Sequence, residues 1–183
     1  MESTKYLSET IDVFSNFMKD RNEKLISNVK LKDEITSAIH IVSASLNSNK
    51  IDINYDLNAL EDIYFEMSKG ELTEAIINIL NNSKDALATN SNNIEKPAIE
   101  INSKVENQIA TICIEDNAGG IPQDILEKIY EPYFTTKHKS QGTGLGLTMS
   151  HEIITKSFNG NLFCKNTSKG AMFCIEIPLD SQF

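Results

Sequence analysis

The stretch from Asp116 to Leu147 limits what this chain can fold into more than any other, because it gathers five of the eight glycines into two clusters. It reads Asp116-Asn-Ala-Gly-Gly-Ile-Pro, then Glu131-Pro-Tyr-Phe-Thr-Thr-Lys137, then Gly142-Thr-Gly-Leu-Gly-Leu147. Glycine has no Cβ, so its amide approaches a ligand closely, and two such clusters around a polar loop point to a backbone cradle for phosphate. A nucleotide is the first expectation. The spacing Gly142-x-Gly144-x-Gly146 does not fit the dinucleotide fingerprint G-x-G-x-x-G, and the phosphate loop G-x-x-x-x-G-K-[ST] is absent.

A second constellation lies upstream, between Glu71 and Leu87. Leu72, Ala75, Ile76, Ile79, Leu80, Ala86 and Leu87 recur at helical spacing and form one apolar stripe. Asn78, Asn82 and Asp85 fall on another face of the same helix, so Ile76 and Ile79 can be buried while amides and a carboxylate face a ligand. Asparagine is a mediocre helix former, and two on one stripe ask for a reason. Ser68-Lys-Gly-Glu71 reads as a capping box that starts the helix.

Taken in order, Asn78-Ile-Leu-Asn-Asn82-Ser-Lys-Asp85-Ala, Asp116-Asn-Ala-Gly-Gly120, Glu131-Pro-Tyr-Phe134 and Gly142-Thr-Gly-Leu-Gly146 resemble the N, G1, F and G2 boxes of sensor histidine kinases. The resemblance runs over residues 30 to 179 and includes Lys169-Gly-Ala-Met-Phe173. It implies an α+β, two-layer α/β sandwich of the Bergerat ATP-binding type, with a mixed, mostly antiparallel sheet, helices on one face and ATP under a lid. It also implies roles. Asp116 would accept a hydrogen bond from the adenine amino group, with Ala118, Gly120 and Ile121 beside the base. Asn82 would supply an oxygen to Mg²⁺, supported by Asn78 and Asp85. Lys137, beside Thr136, would face the terminal phosphate, with Lys139 and Lys84 as weaker candidates. Tyr133 and Phe134 would fasten the lid, and Gly142, Thr143, Gly144, Leu145, Gly146 and Leu147 would carry phosphate to a helix N-terminus. Ala118 departs from the pattern, where many relatives have glycine, but adds only a methyl group.

In relatives that hydrolyse ATP, such as the type II topoisomerases, a glutamate four residues before the metal asparagine is the general base. Here that position is Asn78, which takes no proton, so transfer to a protein nucleophile is favoured over hydrolysis. A histidine kinase uses a histidine followed by an acidic residue, with a proline shortly after. His40, His138 and His151 lack that pattern, so the acceptor is expected on a dimerisation domain outside this chain. The expected partners are that phosphoacceptor domain and a response regulator receiver domain. The other reading is a noncatalytic nucleotide-binding regulator, or an anti-sigma-like serine kinase of the same superfamily.

Composition narrows the setting. The net charge is -9 with no long basic run, which excludes nucleic acid and anionic membrane surfaces as natural partners. No stretch is long and apolar enough to span a membrane, and no signal-peptide core opens the chain. Cys113, Cys164 and Cys174 lie in apolar, strand-like runs, odd in number and without metal-ligand spacing, which fits a reducing cytoplasm.

Leu7, Ile11, Phe14 and Met18 form a heptad-like seam over residues 4 to 19. The residues leave open a helix that packs on its own domain. The resemblance implies the second dimerisation helix, whose apolar face could self-associate. Residues 1 to 28 are therefore read as that remnant with a polar linker over 20 to 28, and 29 to 183 as the ATP-binding domain. Within the latter, the pattern predicts a short strand over 29 to 31 and helices over 32 to 47 and 145 to 157. It also predicts strands through Ile51 to Tyr55 and over 98 to 105, 109 to 114, 161 to 165 and 171 to 178, with a turn at Glu106-Asn107.

Overall fold

The computed structural model describes residues 25–90, 94–137 and 142–179. The seam over 4 to 19, together with His138 and Lys139, lies outside the described residues. The elements are β1 (Ile26–Lys30), α1 (Leu31–Ser48), β2 (Asp52–Asp56), a single 3₁₀ turn (Asn58–Leu60), β3 (Tyr64–Ser68), α2 (Glu71–Thr89), β4 (Ala98–Glu106), β5 (Ile109–Asp116), α3 (Gly146–Ser157), β6 (Asn161–Asn166) and β7 (Ala171–Pro178).

Five strands form one mixed sheet in the order β2-β4-β5-β7-β6. The β2–β4 pair is parallel, and the other three pairs are antiparallel. Strand periodicity sends alternate residues to opposite faces. One face carries Ile101, Ile114 and Phe173 across three strands, and next to them Ile112, Ile175 and Leu162, all buried. The helices cover this face: Ile35, Ala38 and Leu46 of α1, Ile76, Ile79 and Leu80 of α2, and Ile153 and Ile154 of α3 join the same apolar cluster. The opposite face is mainly polar, with Glu100, Glu115 and Lys165 in one cross-strand row that Met172 of β7 interrupts. This is the two-layer α+β sandwich expected from the sequence.

β1 and β3 pair separately, antiparallel, and the sequence pattern gave no sign of β3. β1 begins at Ile26, inside the stretch read as linker, because its backbone is paired with Met67 and Ser68. β4 continues to Glu106, so the tight turn falls on Asn107 and Gln108, one residue later than expected. Both have positive φ, 51° and 61°, the backbone hand that suits the twist of a two-residue hairpin.

Two other expectations are corrected. Ser68 does not cap α2, because it ends β3 and pairs with Ile26. The cap comes from another helix: the buried Glu34 carboxylate of α1 accepts from Gly70 N–H at 2.9 Å, Thr73 N–H at 3.3 Å and the Thr73 hydroxyl at 2.9 Å. A carboxylate there satisfies orphan amides and opposes the positive end of the helix dipole. The cysteines also differ from expectation. Cys113 and Cys174 are cross-strand partners in β5 and β7, on the face away from the helices, and form a disulfide, while Cys164 stays free. In the reducing compartment inferred from the cysteine count the same pair would stand as two thiols. The sequence hides the pair because 61 residues separate its members and only the strand register brings them together.

Candidate functional site

α2 and α3 lie side by side over the sheet, and the cleft between them, β5, β7 and the loop after β5 has a volume of about 1040 Å³. That is ample for a nucleotide. α2 buries Leu72, Ile76, Ile79 and Leu80 completely, which turns Asn78, Asn82 and Asp85 towards the cleft. α3 is tied to α2 by the Ser150 hydroxyl, which donates to the carbonyl of Ala75 at 3.1 Å. Its first residue, Gly146, faces the Asn78 side chain: a Cβ there would stand 3.5 Å from Asn78 Oδ1.

At the far end of the cleft, Asp116 closes β5. It is 3% exposed, and its Oδ1 accepts from the amides of Ala118 at 3.0 Å and Ala171 at 3.3 Å. Burial raises the pKa of this carboxyl, and the Ala118 and Ala171 amides together with the Ser83 hydroxyl counteract it. The buried Ser83 Oγ has no hydrogen-bond partner among the described residues. Gly170 makes the arrangement possible, since a Cβ at that position would come within 2.3 Å of the Asp116 carbonyl oxygen and 2.7 Å of its Oδ1.

The loop after β5 is pinned at several points. Asn166 of β6 grips Ile121 from both sides, accepting from its amide at 2.8 Å and donating to its carbonyl at 2.7 Å. The Thr148 hydroxyl of α3 donates to the carbonyl of Tyr130 at 3.0 Å, and the Tyr133 amide donates to the carbonyl of Gly144 at 3.0 Å. At Gly144 the backbone has φ +67°, and a Cβ would meet the carbonyl carbon of Tyr133 at 2.5 Å, so only glycine fits under the loop.

Of the residues singled out from sequence, Asn78, Asn82, Asp85, Asp116, Ala118, Gly120, Ile121, Phe134, Thr136, Lys137, Gly142, Thr143, Gly144, Gly146 and Leu147 line this one cleft. Tyr133 and Leu145 do not. Tyr133 takes positive φ and is 43% exposed, so its backbone rather than its ring fastens the loop, and Leu145 is buried in front of α3. Lys84 points to α1, donating to Ser45 Oγ and Asn81 Oδ1, both at 3.1 Å. His151 packs its ring against Tyr130, with centroids 5.2 Å apart, and His40 is exposed on α1. Sequence reasoning missed Ser83, Asn90, Ile129 and Phe173 as lining residues. Asn90 supports the loop by donating to the carbonyl of Ala118 at 2.9 Å. Ser83 could have been found from its place between two residues already on the list, while Ile129 and Phe173 look like ordinary core residues.

The donors near the Lys137 end suit a hard cation. Asn82 Oδ1 and Asp85 Oδ2 both lie within reach of the Lys137 ammonium, and Mg²⁺ takes such oxygens together with phosphate and water. Among the described residues there is no cluster of three acidic, histidine or cysteine side chains that would hold a metal by itself. A hard cation at Asn82 and Asp85 would draw its remaining ligands from phosphate oxygens and water.

A family model described as "Histidine kinase-, DNA gyrase B-, and HSP90-like ATPase" matches residues 68–181. The chain belongs to this ATPase family. The relatives it resembles are sensor kinases. The two-component sensor PprA of Pseudomonas aeruginosa is 38% identical over 115 residues, which is 60% of this chain and 12% of that protein. Sensor histidine kinase ZraS of Salmonella typhimurium is 31% identical over 157 residues, 84% of this chain and 31% of that protein. The catalytic domain of histidine kinase ThkA superposes with a TM-score of 0.71 at 27% identity, covering 84% of this chain and 95% of that one. The fold described above is therefore the ATPase domain of the sensor histidine kinases, and the chain spans less than a third of the two named relatives.

Proposed function

We propose that this ATPase domain binds Mg-ATP in the α2–α3 cleft and passes the γ-phosphate to a histidine on a dimerisation domain, for onward transfer to a response regulator receiver domain. The observation that carries the proposal is the joining of the polar stripe Asn78, Asn82 and Asp85 with the buried Asp116 in one cleft of nucleotide size. Asp116 has one oxygen committed to backbone amides, which holds the carboxylate in place as an acceptor for the adenine amino group. The loop from Gly142 to Gly146 leads directly into α3, so phosphate is presented to a helix N-terminus.

Asn82 and Asp85 would hold the metal, which would supply positive charge to neutralise the phosphates. The chain's own residues bind, orient and screen the triphosphate. Nothing at the Asn78 position accepts a proton from water, which favours transfer to a protein nucleophile over hydrolysis. Phosphoryl transfer needs positioning and charge neutralisation more than covalent help from the protein, and this cleft supplies both. We place the domain in the cytoplasm, where ATP is supplied. Among the described residues no helix is long and apolar enough to cross a membrane.

The test supplies the acceptor. The chain is mixed with a separately purified dimerisation domain from a sensor kinase and γ-labelled ATP, and label on that domain's histidine is followed. Transfer that is lost in Asn82→Ala supports the proposal. ATP binding without any transfer would instead favour the regulator reading.

A further inference from the structure

The loop lysine assigned to the phosphates does not point into open solvent. Lys137 Nζ donates to Asn82 Oδ1 at 3.2 Å and makes an ion pair with Asp85 Oδ2 at 2.6 Å. These are the two side-chain oxygens that fit a Mg²⁺ ion. Other features hold the lysine there. Thr135 Oγ1 accepts from the Lys137 backbone amide at 3.1 Å, and the Lys137 side chain lies against Gly142, where a Cβ would stand 3.3 Å from its Cδ. Lys84 does not compete for the position, since it is directed to Ser45 and Asn81 and stands 4.0 Å from the other Asp85 oxygen.

An ammonium and a hard dication seek the same oxygens. Mg²⁺ binds its ligands at about 2.0–2.1 Å, so it cannot share Asn82 Oδ1 and Asp85 Oδ2 with an ammonium already in contact with them, and the two positive charges repel. We propose that Lys137 is a stand-in cation: its ammonium occupies the Asn82–Asp85 oxygen pair in the nucleotide-free domain, and entry of Mg²⁺ with the nucleotide displaces it towards the phosphates. This rests on the nucleotide reading above and adds a coupling to it. An isolated ion pair of this kind on a surface contributes little to stability. Its consequence here is for binding, because each Mg²⁺ ion that enters must break it. The exchange keeps the oxygen pair neutralised before binding and delivers a positive charge to the phosphates at the moment the metal takes over.

The experiment measures ADP affinity by calorimetry in Mg²⁺ and in EDTA, and takes the ratio as the metal enhancement. ADP is chosen because it lacks the γ-phosphate. In Lys137→Met the enhancement should rise at least fivefold over the parent chain, since the metal no longer displaces an ammonium, and it should fall back in Lys137→Met/Asp85→Asn. A lysine that only neutralises phosphate would weaken ADP equally in both buffers and leave the ratio unchanged, which would overturn the exchange while leaving the nucleotide reading intact. A folded parent chain that binds no ADP in either buffer would overturn both. A second measurement does not depend on the Lys137 variant. The acetylation rate of Lys137 in nucleotide-free protein, read by mass spectrometry, should be several-fold faster in Asp85→Asn than in the parent. Equal rates would show that Asp85 does not hold the lysine, and the proposal would fail.

Discussion

Glu34 is remote in sequence from every box, yet the structure makes it the anchor of the helix that carries Asn78, Asn82 and Asp85. It is 4% exposed, and one of its oxygens, Oε2, takes the Gly70 amide, the Thr73 amide and the Thr73 hydroxyl. Replacing it by alanine removes a charged acceptor from two backbone amides at a helix N-terminus. Hydrogen bonds to a charged group contribute about 1.5–3 kcal/mol each, and amides left without a partner are costly when buried. Allowing for partial access of water, Glu34→Ala should destabilise the domain by about 3–4 kcal/mol, a fall in Tm of about 10 °C for a domain of this size. Glu34→Gln keeps an acceptor in the same place and should cost about 1 kcal/mol. Thermal unfolding by circular dichroism gives both values, and ADP titration of the folded variants at low temperature shows whether α2 keeps its place. An alanine variant within about 1 kcal/mol of the parent, or a glutamine variant as unstable as the alanine one, would refute the capping argument.

Gly144→Ala should abolish nucleotide binding, because its Cβ would overlap the Tyr133 carbonyl carbon at 2.5 Å; titration with ADP checks this, and unchanged affinity would mean that the loop can shift freely. Burial holds the Asp116 carboxyl above its ordinary value of 3.8, so its ionised form is penalised in the fold, and that penalty is relieved as pH falls through the raised pKa. Nucleotide binding uses the carboxylate and runs the other way, so affinity should drop on acidification with a midpoint above 3.8, and Asp116→Asn should lack that step. Reducing the Cys113–Cys174 bridge frees two strands whose cysteines are 61 residues apart, which by loop-closure entropy costs up to about 4 kcal/mol, read as a lower Tm in dithiothreitol.

Most of the residues that line the cleft were legible from sequence because they are concentrated in short, ordered segments. Asn78, Asn82 and Asp85 announce themselves as polar residues on a helix whose other face is apolar. Asp116 and the glycines announce themselves by clustering. The parts that escaped notice depend on contacts between distant segments. Glu34 reads as a favourable acid in the first turn of its own helix, and nothing local shows that it caps another. Ser68-Lys-Gly-Glu71 has the form of a capping box, but pairing of Ser68 with Ile26 takes that residue into a strand. β3 is five residues long and carries Glu66 between Phe65 and Met67, too short a pattern to separate from a loop. The cysteine bridge depends on strand register, which spacing along the chain does not reveal. Gly170 appeared only as part of the entry to the last strand, although its missing Cβ is what lets Asp116 sit where it does.

One cleft, with Asp116 at one end and Asn82 at the other, is proposed to hold a magnesium nucleotide. The measurement that tests it most directly is calorimetric titration of a non-hydrolysable ATP analogue with Mg²⁺ into the parent chain, Asp116→Asn and Asn82→Ala. The parent should show saturable one-to-one binding, Asp116→Asn a loss of about tenfold to a hundredfold, from about 1.5–3 kcal/mol for a hydrogen bond to a charged group, and Asn82→Ala binding that no longer responds to Mg²⁺. A folded parent chain that takes up no nucleotide, or an Asp116→Asn variant that binds as tightly as the parent, would contradict it.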